Sequence, residues 1–82
     1  MDKITELIAS GDYFGAISLI GKDLFKSQIN ERLDVRAHFL LKSAESGVWL
    51  LETLEHPEQQ NACRVMVESL IQEARRILIN NQ

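Results

Sequence analysis

The sequence predicts a single all-α domain, a small helical bundle in which two short N-terminal helices pack on a long antiparallel helical hairpin. Apolar residues recur at intervals of three and four nearly throughout the chain, and no stretch alternates like a half-buried strand. Turn-forming residues divide this pattern at three points, Ser10-Gly11-Asp12, Asn30 and Pro57. A length of 82 residues, with 45% hydrophobic and 26% charged residues, is typical of one small globular domain.

The turn-forming residues predict where each helix begins and ends. Gly11 is expected to end the first helix in the left-handed conformation, and Asp12 to cap the second. Asn30 is expected to cap the third helix. Pro57 suits the first turn of the fourth, because the residue before a proline disfavours the helical conformation. Within a single domain of residues 1–82, the predicted helices span about residues 2–10, 13–27, 31–55 and 58–79.

The two long helices carry matching stripes of apolar and small residues, which we call the hairpin seam. Both stripes advance by alternating steps of four and three, and folding the helices antiparallel about Pro57 aligns them. The seam consists of Leu33, Ala37, Leu40, Ala44, Gly47, Leu51 and Leu54 in the third helix and Cys63, Val67, Leu70, Ala74 and Ile77 in the fourth. The alignment sets Gly47 opposite Val67 and Ala44 opposite Leu70. Since a small residue faces a large one in most layers, the sequence predicts a closely packed hairpin with a defined register.

One flank of the hairpin seam is a second apolar strip. It consists of Leu41, Val48, Ile71 and Leu78. We expect the short N-terminal helices to pack on this strip through the apolar residues of the second helix, Ile17, Ile20 and Leu24. Two short helices would then leave the other flank of the hairpin uncovered.

The other flank provides the candidate functional site. Four large side chains lie on it or behind it, namely Phe39, Trp49, Leu50 and Met66. Tryptophan and methionine are favoured at adaptable contact surfaces. We therefore predict that these four residues bind another protein, a second copy of the chain, or both. The alternative is that the N-terminal helices bury this group, which would make it part of the core.

Residues 4–24 resemble part of a known repeat. The segment from Gly11 to Ile17, Gly-Asp-Tyr-Phe-Gly-Ala-Ile, resembles the helix-to-helix turn of a tetratricopeptide repeat, and Leu24 falls where that repeat has a leucine. Asp23 stands where the repeat has a small residue, and the third helix is too long to open a second repeat. Since stacks of this kind need about three repeats, we interpret the segment as an ordinary helix-turn-helix hairpin.

The sequence contains no evident catalytic or cofactor motif. Glu52, His56 and Cys63 lie near one another, but a zinc site needs three or four converging ligands, and Cys63 belongs to the hairpin seam. The serines lack a nucleophile elbow, and no Gly-rich phosphate loop or dinucleotide fingerprint occurs. We therefore predict no metal, no cofactor and no catalytic residue, and an enzyme is the least favoured hypothesis.

Charge and hydropathy bear on nucleic acids and membranes. A basic strip at the second connection would consist of Lys22, Lys26, Arg32 and Arg36, but acidic residues interleave with it and the formal net charge is −3. No apolar run approaches the roughly 18 residues of a membrane span, and the N-terminus lacks an apolar signal core. With a single cysteine as well, we expect a cytoplasmic protein that binds neither nucleic acid nor membrane.

These observations favour a non-enzymatic interaction protein over the alternatives. A small adaptor, chaperone or inhibitor that docks through a helical face, as a homodimer or bound to a partner, fits the uncovered flank of the hairpin. The alternative is a DNA-binding transcriptional regulator that uses the N-terminal helices.

Overall fold

The fold is a bundle of helices in which a long hairpin carries two shorter elements. The computed structural model describes residues 2–81. Its helices are α1 (Lys3–Ala9), α2 (Tyr13–Lys26), α3 (Glu31–Thr53) and α4 (Pro57–Asn80). The helices α3 and α4 form the long hairpin, α2 packs on both of them, and α1 packs on α2. The predicted all-α fold class is confirmed.

Local signals end α1 and start α2 and α3 as the sequence predicts. Gly11 has a φ of 82°, which a residue with a side chain rarely adopts, and it separates α1 from α2. The Asp12 carboxylate accepts a hydrogen bond from the Gly15 N–H at 3.0 Å. The Asn30 side-chain oxygen accepts one from the Leu33 N–H, also at 3.0 Å. Both caps satisfy N–H groups that have no partner within their helix.

The connection between α3 and α4 differs slightly from the prediction. The helix α3 ends at Thr53, two residues early, and Leu54 is already extended. His56 is extended too, because the residue before a proline is kept out of the helical conformation. The Gln60 side-chain amide donates a hydrogen bond to the Leu54 carbonyl oxygen at 2.8 Å, so this carbonyl group beyond the helix end has a partner. Pro57 is itself the first residue of α4, one residue before the predicted start.

The core lies between α2 and one flank of the hairpin. The largest fully buried side chains come from α2 and α4, namely Ile20, Leu24, Val67 and Ile71. All four residues of the apolar strip beside the seam are buried, namely Leu41, Val48, Ile71 and Leu78. The N-terminal helices therefore cover the flank on which we expected them, and the alternative placement is excluded.

Candidate protein-interaction surface

The hairpin seam brings α3 and α4 into close contact at Gly47. A Cβ atom placed on Gly47 would lie 2.7 Å from Cγ2 of Val67, closer than carbon atoms approach one another in proteins. The Cys63 thiol donates a hydrogen bond to the Gly47 carbonyl oxygen at an S···O distance of 3.3 Å. Gly47 thus faces Val67, as the predicted register requires, and this contact sets the spacing of the helices beside the candidate site.

Polar contacts tie the N-terminal helices to α4. The Tyr13 hydroxyl donates to the Glu68 carboxylate at 3.0 Å, and burial, helped by this bond, raises the pKa of Tyr13 above its usual value. The Arg75 guanidinium binds the Asp2 carboxylate and the Thr5 hydroxyl. Hydrogen bonds from the Thr5 N–H and from the Arg75 side chain hold the pKa of Asp2 below its usual range. These contacts fix α1 and α2 on one side of the hairpin.

The opposite side of the hairpin, which we call the open face, is formed by one stripe from each long helix. It consists of Phe39, Ser43, Ser46 and Leu50 of α3 and Ala62, Val65, Met66 and Ser69 of α4. Ser43 is half-buried and the other seven are exposed. The charged residues at intervening positions point to other sides of their helices, namely Lys42, Glu45, Arg64 and Glu68. The middle of the open face is therefore uncharged.

Two of the predicted site residues, Leu50 and Met66, lie together on the open face. The Met66 methyl carbon is 3.2 Å from the position that a Gly47 Cβ would occupy, so Met66 lies against α3 where that helix has no side chain. Leu50 is one turn along α3 from Gly47, which places it beside Met66. Leu50 is 49% exposed and Met66 is 44% exposed. Together they form an apolar patch at the surface.

Phe39 lies on the same side of α3 as Leu50, at some distance from it. The two residues are three helical turns apart, or about 16 Å along the axis at about 1.5 Å per residue. Phe39 is 70% exposed. Within one chain, Phe39 is therefore separate from the Leu50–Met66 patch.

Trp49 lies on a different side of α3, turned about 100° from Leu50 because each residue of a helix advances by that angle. Its ring lies 5.5 Å from the ring of Phe14, centroid to centroid, with the two planes tilted by 55°. Trp49 remains 58% exposed. The structure thus places Trp49 at the junction of α2 and α3, apart from the other three predicted residues. A partner-binding role stays a prediction for all four residues.

Sequence reasoning missed Phe14 and Phe25 on α2. Both lie beside the buried stripe of that helix and not within it, and this offset was the signal that either ring would reach the surface. Phe14 is 37% exposed and contacts Trp49, whereas Phe25 is 89% exposed near the end of the helix. Phe25 lies outside the open face, which makes it a useful control position.

Opposite charges lie at the two ends of the open face. The basic end carries Arg32, Arg36 and Arg76 together with Glu31 and Glu73, and all five residues are exposed. Arg36, Glu73 and Arg76 line one shallow depression there. The acidic end, around the connection between α3 and α4, carries the exposed residues Glu55 and Glu58. Ion pairs within residues 2–81 join His38 to Asp34 at 3.4 Å and Arg75 to Asp2, and none involves either end.

The residues weighed for a metal site differ in burial, and Glu52 is exposed near the end of α3. Cys63 is buried in the hairpin seam and His56 is exposed in the connection before α4. Across residues 2–81, no three side chains of His, Cys, Asp or Glu converge closely enough to hold a metal ion.

Comparison with known proteins finds no matching family model, no similar curated protein and no similar solved structure. Within the described part of the chain, none of the helices combines the length and the apolarity needed to cross a lipid bilayer.

Proposed function

We propose that the chain is a non-enzymatic protein–protein interaction module, of the adaptor, chaperone or inhibitor class, that docks through the open face. One observation carries the proposal. Phe39, Leu50 and Met66 are exposed on a helical face whose middle is uncharged, while the buried core lies on the other side of the hairpin. Adjacent apolar groups exposed on a small domain, as Leu50 and Met66 are, are typical of protein contact sites.

Two further features support this reading. Phe14 and Trp49 form an exposed aromatic pair at the junction of α2 and α3, which offers a second, smaller contact for a partner. The single cysteine is buried in the seam, which suits a reducing compartment, and we propose that the protein acts in the cytoplasm.

A matched pair of variants tests the proposal by affinity capture from extracts of the native host. Leu50→Asp places a charge in the middle of the open face, and Phe25→Asp places the same charge on α2 outside it. Protein captured by the wild type should be lost with Leu50→Asp and retained with Phe25→Asp, while circular dichroism verifies that both variants fold. Equal capture by both variants would contradict the proposal. Salt-dependent retention of duplex DNA by the wild type would instead favour the DNA-binding alternative.

A further inference from the structure

The open face of α3 has the spacing of a second helix-packing stripe. Steps of four, three and four separate its residues Phe39, Ser43, Ser46 and Leu50, and a further step of three leads back to Arg36 at the basic end. This spacing keeps side chains on one face of a helix, as it does in the hairpin seam. The helix α3 therefore carries one stripe that packs on α4 and another that nothing within residues 2–81 covers.

The second stripe carries a large apolar residue at the same distance on each side of its centre, and the open face carries opposite charges at its two ends. Phe39 and Leu50 are equally distant along the chain from the midpoint between Ser43 and Ser46. The basic end lies beyond Phe39 and the acidic end beyond Leu50. A copy related by a two-fold axis presents the same stripe in the reverse order. The open face, with its two charged ends, is therefore complementary to itself.

We propose that a second copy of the chain docks antiparallel on the open face, an inference that rests on the proposed function and names its partner. Ser43 then lies opposite Ser46 of the second copy, and Phe39 lies opposite Leu50 of the second copy. The basic end of each copy lies over the acidic end of the other. Because the axis is two-fold, each of these contacts occurs twice.

The antiparallel pairing joins side chains that one chain keeps apart. Phe39 is about 16 Å from Leu50 within a chain, but it packs on the Leu50–Met66 patch of the second copy. The small side chains of Ser43 and Ser46 allow the two α3 helices to approach closely at the centre. An aromatic anchor in an apolar patch, with charged residues only at the periphery, is the usual arrangement of an interface hot spot.

The open face is large enough for a stable dimer. The 23 residues of α3 span about 34 Å, and two packed helices are about 20 Å wide. The face therefore offers on the order of 700 Å² per copy, close to the roughly 800 Å² per partner of a standard interface.

Charge reversal tests the antiparallel arrangement, because Arg32 of one copy lies near Glu58 of the other. Arg32→Glu and Glu58→Arg each bring like charges together, so each should raise the Kd of self-association at least about tenfold at low ionic strength. The double variant R32E/E58R should return the Kd to within about threefold of wild type. Lys42→Glu is the control, since it reverses a charge on the same helix outside the open face. Analytical ultracentrifugation over a range of concentrations measures each Kd.

Truncation of Phe39 tests the apolar contact in the same assay. Phe39→Ala should raise the Kd of self-association at least about tenfold, because an interface anchor is lost at two symmetric positions. Phe25→Ala removes an equally large exposed ring from α2 and should leave the Kd unchanged. Circular dichroism spectra that match wild type ensure that neither change acts through unfolding.

The outcomes separate this inference from the proposed function. Antiparallel docking is supported if Arg32→Glu and Phe39→Ala each weaken self-association and the double variant R32E/E58R restores it. A dimer whose Kd is unchanged by these substitutions, or whose Kd does not return towards the wild-type value in the double variant, overturns it. If the wild type is monomeric but still captures another protein in a way that depends on Leu50, the occupant of the open face is not a second copy. The proposed function then stands. A monomer without Leu50-dependent capture overturns both.

Discussion

Replacing Gly47 with alanine should not stabilise the protein, although alanine is the better helix former by about 1 kcal/mol. The new Cβ would lie 2.7 Å from Cγ2 of Val67 and 3.2 Å from the Met66 methyl carbon. Val67 is fully buried and its β-branched side chain has one preferred rotamer in a helix, so it cannot turn away without displacing the core. Overpacking of this kind costs about 1–3 kcal/mol. The cost offsets or exceeds the gain in helix propensity.

Gly21 provides the matched control, because a Cβ added there would meet nothing within 4 Å. Gly21→Ala should raise the free energy of unfolding by about 0.5–1 kcal/mol. The two alanine variants should therefore differ by about 1–3 kcal/mol, or by several degrees in Tm, since 1 kcal/mol shifts the Tm of a domain this size by about 4–8 °C. Urea unfolding followed by circular dichroism measures both. If Gly47→Ala stabilises as much as Gly21→Ala, the helices are not in close contact at Gly47.

Three other predictions concern the thiol, the N-terminal helix and the aromatic pair. Cys63 should react slowly with thiol reagents in the native protein and quickly after unfolding, because it is 6% exposed; rapid labelling of the native state would show that the seam is open. The lowered pKa of Asp2 means that its contribution to stability is present above its usual pKa of 3.8 and is lost as pH falls through the folded-state value. Asp2→Asn should therefore reduce the difference in stability between neutral and acidic pH, and an unchanged pH profile would argue against the hydrogen bonds that Asp2 accepts from Thr5 and Arg75. Trp49→Ala should cost about 0.5–1.5 kcal/mol through loss of the Phe14 contact, and a loss above about 3 kcal/mol would make Trp49 a core residue.

The helices and the hairpin were predictable from sequence because local chemistry determines them. Gly11 ends one helix, Asp12 and Asn30 cap the next two, and Pro57 starts the last. The glycine at 47 predicted a close approach of two helices because its neighbours on the seam are spaced at threes and fours. Each of these signals lies within a few residues of the structure that it produces, so the sequence alone is sufficient to read it.

The candidate site was less predictable because its geometry depends on how α2 crosses the hairpin. Trp49 lies one residue from Leu50 in sequence, but the rotation of about 100° between successive helical residues places it on another side of α3. Its contact with Phe14 depends on where α2 begins relative to α3, which no local signal specifies. The contact between Asp2 and Arg75 spans most of the chain, so it too follows from tertiary packing rather than from a pattern in either segment.

Gly47 links the packing of the hairpin to the properties of the open face. The missing Cβ lets α4 approach α3, and it also leaves the room in which the Met66 methyl group rests beside Leu50. A side chain at position 47 would push against Val67 on the buried side and against Met66 on the exposed side, so it would alter folding and association together. Because self-association stabilises a folded chain by mass action, the stability of Gly47 variants must be compared at several protein concentrations. A loss of stability that persists at low protein concentration arises at the hairpin seam. An additional loss that appears only at high protein concentration arises at the open face.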